Sequence, residues 1–100
     1  MTANGPVYFS ELELTRLLAL VDDLAEWHAQ QPSFEIGLSG VRNLATHGEP
    51  DLAMRYLAEW IADSRPPIAE PDREFLFALA SKFDADDAVE FLREAFADQA

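Results

Sequence analysis

The sequence predicts an all-α fold, a single domain of about five helices in which one long N-terminal helix packs on two helical hairpins. Apolar residues recur at spacings of three and four along most of the chain, as on the buried face of a helix. Helix-start and helix-stop residues separate these stretches, and no stretch alternates apolar and polar residues between hairpin turns. One hundred residues, 49% of them apolar, suffice for one core, so we place the domain at 10–98 after an N-terminal extension at 1–9.

The first helix has the clearest start signal. Ser10 is a good N-cap, Glu13 completes a capping box with it, and Phe9 with Leu14 fits a hydrophobic staple. We expect the helix to run to about Gln30, just ahead of a proline. Apolar residues occupy a wide arc of its surface, which predicts contact from more than one side.

The second helix is predicted over 34–47, and the third follows after a short turn. Gly48 is a natural residue to follow the last turn of the second helix. Two internal glycines, Gly37 and Gly40, weaken that helix and suggest a close approach by a neighbour. The third helix opens with Pro50 at its first position, where a missing N–H costs nothing.

The third, fourth and fifth helices complete the predicted core. Tyr56 and Trp60 belong to the buried set of the third helix, Pro71 opens the fourth, and Asp84 is predicted to cap the fifth. A shift of 35 residues aligns 44–63 with 79–98 at eight of twenty positions, the period of a helical-hairpin repeat. Chance competes with a true repeat, because all amphipathic helices share this pattern.

Charge is the most informative bulk property. Nineteen acidic residues against seven basic ones give a net charge of −12. Such a surface repels phosphate backbones and anionic membranes, so we expect neither nucleic acid nor a membrane as partner. Solubility alone, or a partner with a basic face, explains the charge. Without cysteines, a visible secretory signal or a long apolar run, a cytoplasmic protein fits best.

The residue pattern supports neither catalysis nor metal binding. His28 and His47 are the only histidines, and they lie on different predicted helices without the spacing of a zinc motif. No nucleophile elbow, Ser-His-Asp arrangement or phosphate-binding loop is present. We therefore predict no enzyme, no cofactor and no metal site.

The fifth helix carries a stripe of acids that we treat as the candidate partner-binding surface. Its members, called here the α5 stripe, are Asp87, Glu90, Glu94 and Asp98. Like charges one turn apart destabilise their own helix slightly, and a basic partner would relieve that repulsion. The alternative is a solvated face, answered by Arg73 or Lys82 of the fourth helix.

Two further features bear on binding. On the third helix Asp51, Arg55 and Glu59 form an acid–base–acid column that we expect to compensate itself. On the first helix Asp22 and Glu26 form a second, smaller candidate patch. Core packing is the expected role of the aromatic residues, although one exposed beside acids would be an interface anchor.

Segment 43–53 (NLATHGEPDLA), where one helix ends at a Gly-Glu turn and the next begins, resembles a family. Together with 60–63 (WIAD) and 66–68 (PPI), it is similar to the small acidic helical immunity proteins of bacterial polymorphic-toxin and contact-dependent inhibition systems, broadly the MafI-like type. The resemblance covers about 34–96. It implies tight binding to a cognate toxin, often a nuclease, but carries over no residue-level binding site.

Three hypotheses remain open. The first is an acidic inhibitor, such as an immunity protein, that masks the basic surface of a toxin. The second is a helical-repeat adaptor or subunit that binds through an apolar groove between hairpins. The third, an enzyme, requires a deep pocket that holds carboxyl groups with raised pKa values.

Overall fold

The computed structural model describes residues 8–29 and 37–97, and it confirms the all-α prediction. The described helices are α1 Glu11–Ala29, α2 Gly37–Thr46, α3 Pro50–Ser64, α4 Glu70–Lys82 and α5 Asp86–Phe96. Most of the predicted extension at 1–9, and the predicted first turn of α2 at 34–36, lie outside the described residues. No helix within the described ranges is long and apolar enough to cross a membrane.

The start of α1 is the predicted capping box. The Ser10 N–H donates to Glu13 Oε1 at 2.8 Å, and the Glu13 N–H donates to Ser10 Oγ at 3.1 Å. Lys82 Nζ, from the end of α4, lies 2.7 Å from the same Glu13 oxygen. The hydrogen bond from Lys82, and then that from the Ser10 backbone, lowers the pKa of Glu13. One carboxylate therefore caps α1 and ties it to α4.

The core lies among two hairpins, α2–α3 and α4–α5, with α3 at the centre. Helix α3 packs most extensively against α5 and α2, and it also contacts α4. Two of the residue pairs that the 35-residue shift aligns are fully buried in both hairpins, Ala53 with Ala88 and Leu57 with Leu92. The structure thus places one long helix and two stacked hairpins as the sequence predicts.

Helices α2 and α4 end in the same way, and this corrects the prediction for Asp84. Gly48 has a left-handed φ of 77°, and the Glu49 N–H donates to the Leu44 carbonyl at 3.0 Å. Asp84 also has a left-handed φ, of 55°, and the N–H of the next residue, Ala85, donates back across the last turn of α4 at 2.9 Å. Asp84 therefore terminates α4 and is not the cap of α5. The residue before α5 is Ala85, whose side chain offers no capping bond.

Two glycines, one within α2 and one after it, differ in the space available for a side chain. A Cβ added at Gly48 would lie 2.9 Å from Tyr8 Cε1 and would be strained by the left-handed backbone. A Cβ added at Gly40 would meet nothing within 4 Å, so the expected close approach at Gly40 is wrong.

The same substitution at these two glycines should change stability in opposite directions. We expect Gly48→Ala to destabilise by about 1–3 kcal/mol through backbone strain. Gly40→Ala should stabilise by about 0.5–1 kcal/mol, because alanine is the better residue inside a helix. Guanidinium denaturation of both variants and of the parent protein measures the two shifts. A shift of the same sign in both variants would contradict this account of α2 and its end.

Candidate binding surfaces

The α5 stripe is exposed, but it is not free of cations as the sequence suggested. The described members Asp87, Glu90 and Glu94 have side chains that are 70%, 74% and 66% exposed. Asp87 pairs with Arg55 at 3.8 Å, Glu90 with Arg93 at 3.4 Å, and Glu94 with Arg65 at 3.6 Å. Asp98 lies outside the described residues.

The cations come from residues that sequence spacing did not connect to the stripe. Arg55 belongs to α3, which packs beside α5. Arg65 is the residue that directly follows α3, and Arg93 belongs to α5 itself. The suggested partners do other work: Arg73 donates to the Ile68 carbonyl at 2.8 Å, and Lys82 pairs with Glu13. The expectation that the stripe lacks partners within the chain is therefore wrong. Exposed pairs of this kind contribute about 0–1 kcal/mol each.

The expected acid–base–acid column of α3 is also corrected. Arg55 makes its ion pair with Asp87 of α5, across the α3–α5 contact. Glu59 has no ion pair within 4 Å among the described residues, and Asp63, one turn further along α3, has none either. These two acids of α3 are therefore without an ion pair in the described part of the chain, whereas the described members of the stripe are paired.

The smaller patch on α1 is divided in the same way. Asp22 pairs with Arg42 of α2, while Glu26 is exposed and makes no ion pair within the described part of the chain. The structure thus ties half of this patch to the neighbouring helix. Glu26 is left facing water.

The basic residues are all committed to intramolecular contacts. Six of the seven form ion pairs with carboxylates of the chain, since Arg16 also pairs with Asp72 at 3.2 Å. The seventh, Arg73, donates to a backbone carbonyl and lies 5.9 Å from the ring centroid of Phe96. Because nineteen acids share these seven bases, the surface offered to a partner is predominantly anionic.

An apolar groove between α2 and α3 is the surface that sequence reasoning missed. Its volume is about 440 Å³, and it is lined by Gly40, Val41, Asn43, Leu44, Tyr56, Glu59, Trp60 and Asp63. Tyr56, predicted to be buried, is 48% exposed. Two sequence signals pointed here: a glycine on the facing helix, which leaves open space, and two acids one turn apart beside an aromatic residue.

Trp60 forms the inner wall of this groove and links it to α1. Its ring makes edge-to-face contacts with Trp27, at a centroid distance of 6.4 Å, and with His28, at 5.4 Å. The ring is buried, and its Nε1 has no hydrogen-bond acceptor among the described residues. A buried donor without a partner costs stability, which marks Trp60 as an unusual position in the core.

The described residues contain no buried polar or charged side chain and no group of three or more residues that could hold a metal ion. His28 packs against Trp60, and His47 Nδ1 lies 2.7 Å from the Asn43 carbonyl at the end of α2. The lowered pKa of Glu13 is opposite in direction to the shift that a general acid needs.

Comparisons of the chain with protein-family models, with curated proteins and with solved structures find no match.

Proposed function

We propose that this protein is an acidic inhibitor that binds a basic protein, in the manner of a bacterial immunity protein bound to its toxin. The proposal rests on how the charged side chains are paired. All seven basic residues make contacts within the molecule, and a large surplus of carboxylates faces solvent. Such a surface steers a basic protein toward it and repels nucleic acid. A toxin with a basic substrate groove, such as a nuclease, has the complementary charge.

The α5 stripe and the α1 patch remain proposed contact residues: Asp87, Glu90, Glu94, Asp98, Asp22 and Glu26. The ion pairs of the described stripe members are solvent-exposed, and exposed pairs are weak. A partner's lysines and arginines can therefore replace Arg55, Arg65 and Arg93 at small cost. We propose the cytoplasm as the place of action, in line with the immunity-protein resemblance.

One observation favours a second candidate, a helical-repeat adaptor or subunit of a larger assembly. The groove between α2 and α3 is apolar and presents a half-exposed Tyr56, as the adaptor hypothesis requires. An adaptor that binds through apolar contacts alone would show little dependence of affinity on salt. The inhibitor should show a strong dependence.

Neutralising the α5 stripe tests the inhibitor proposal. The partner is captured from the source organism on the tagged protein, purified, and titrated against the untagged protein by calorimetry. We expect the triple variant Asp87→Asn, Glu90→Gln, Glu94→Gln to bind about tenfold more weakly. Three exposed contacts of about 0.5 kcal/mol each amount to about 1.5 kcal/mol, close to one factor of ten in affinity.

A matched control separates this surface from net charge. Glu11→Gln, Glu70→Gln and Glu74→Gln together remove the same number of charges from exposed positions away from α5. This control should change the affinity by less than the stripe variant does. Equal weakening in both variants would show that total charge, and not the stripe, sets the affinity. Capture of an acidic partner, or of none, would contradict the proposed function itself.

A further inference from the structure

We propose that the groove between α2 and α3 is the docking site for an arginine flanked by apolar side chains on the partner protein. This inference rests on the proposed function for the identity of the partner as a basic protein. It adds the place and the chemistry of the principal contact.

The walls of the groove are complementary to an apolar group, and its rim is complementary to a cation. Val41, Leu44 and Trp60 supply apolar walls, and the half-exposed ring of Tyr56 extends them outward. Glu59 and Asp63 lie one turn apart on the same side of α3 and make no ion pair within the described residues. An occupant that is apolar along its length and cationic at its tip satisfies both.

The bases nearest in sequence do not neutralise this rim. Arg55 and Arg65, which flank the two acids on α3, pair with Asp87 and Glu94 of α5. Arg42 of α2 pairs with Asp22 of α1. Each of these bases already pairs with a carboxylate on another helix. The carboxylates of the rim therefore remain available to a cationic partner.

The chain already contains one arginine that is held by a carboxylate and an aromatic ring three residues apart on a helix. On α4, Asp72 and Phe75 are three residues apart, and Arg16 of α1 binds both: its guanidinium lies 3.2 Å from the Asp72 carboxylate and 4.2 Å from the Phe75 ring centroid. On α3, Tyr56 and Glu59 have the same spacing, with the ring before the carboxylate. A planar guanidinium can stack on an aromatic ring and donate hydrogen bonds to a carboxylate at the same time. A lysine ammonium does this less well.

A second copy of this chain is a poor occupant. The chain has a net charge of −12, and its own arginines are all engaged in intramolecular contacts. Two copies brought together at the acidic rim would repel each other. The charge of the groove therefore points to a basic protein.

The test uses blocked tetrapeptides and the isotope-labelled full chain in a nuclear magnetic resonance titration. The probe is acetyl-Leu-Arg-Arg-Leu-amide. One control peptide replaces both arginines with glutamates, and another replaces both leucines with glycines. We expect the first peptide to shift the amide signals of Gly40 and Tyr56 while leaving Gly48, at the far end of α2, unmoved. Both control peptides should bind at least about tenfold more weakly.

Two variants locate the binding. Glu59→Gln with Asp63→Asn should weaken binding of the probe about tenfold, while Glu70→Gln with Glu74→Gln, the same charge change on exposed residues of α4, should alter it less than about twofold. Gly40→Leu should block the groove, and circular dichroism verifies the folding of each variant. If Gly40→Leu does not fold, the exposed Glu59 and Asp63 pair decides the result alone.

Several outcomes would overturn the proposal: equal effects of the two double variants, equal binding of the peptide without leucines, or groove signals that shift with the concentration of the chain alone. The last result would assign the groove to a second copy. The proposed function has a separate outcome. A salt-sensitive complex with the basic partner whose affinity is unchanged in the Glu59 and Asp63 variant would support the proposed function and contradict docking in the groove. Probe binding in the groove without any basic partner in the source organism would do the reverse.

Discussion

Leu57→Ala should destabilise the protein by about 2–5 kcal/mol, a large part of the 5–15 kcal/mol typical of a domain. Leu57 is fully buried at the middle of α3, the helix that contacts α2, α4 and α5. Truncation removes apolar contacts and leaves a cavity between both hairpins that packed neighbours fill only in part. Guanidinium denaturation followed by circular dichroism measures the change.

The control for Leu57→Ala is the same substitution at Leu12, which is 84% exposed on α1. Leu12→Ala should change the free energy of unfolding by less than about 0.5 kcal/mol, because no buried contact is lost. Comparable losses at the two positions would contradict the placement of α3 at the centre of the core.

Trp60→Ala should cost about 3–5 kcal/mol, whereas Trp60→Phe should cost less than about 1.5 kcal/mol. Alanine removes the ring that holds Trp27 and His28 of α1 against α3. Phenylalanine keeps an aromatic ring there and also removes the Nε1–H that has no acceptor among the described residues. Loss of an unsatisfied donor offsets part of the lost volume.

Fluorescence tests the Trp60 prediction directly, because the chain has two tryptophans and Trp27 is the only one left in either Trp60 variant. In the alanine variant the Trp27 emission should shift to longer wavelength as the end of α1 loosens. In the phenylalanine variant it should shift much less. If Trp60→Phe cost as much as Trp60→Ala, the indole N–H would have a hydrogen-bond partner in solution, against this reading of the core.

The helices could be predicted because their signals are local. The Ser10 and Glu13 capping box, Gly48 after α2 and Pro50 at the start of α3 each act within one turn of the residue concerned. Asp84 shows the limit of such signals. An aspartate between two helices can cap the second or adopt the left-handed conformation that ends the first, and here the backbone hydrogen bond of Ala85 stabilises the latter.

The charge pattern could not be predicted in the same way, because ion pairs follow the packing of helices. Spacing along α3 suggested that Arg55 pairs with Asp51 and Glu59. Because α5 packs beside α3, Arg55 pairs with Asp87 instead. The described members of the candidate stripe consequently have partners, whereas Glu59 and Asp63 at the groove have no ion pair among the described residues. The burial of Tyr56 was wrongly predicted for a related reason: the apolar pattern of α3 indicates which faces are apolar, not which of them a neighbouring helix covers.

The proposed function requires that the surplus of carboxylates is a binding surface for a cationic protein. The most direct test is the dissociation constant of the purified complex, measured by calorimetry from about 50 mM to about 500 mM NaCl. We predict that it rises at least about tenfold across this range, because both partners bring exposed charge to the interface. A dissociation constant that stays unchanged over the same range would contradict the claim and favour an adaptor held by apolar contacts.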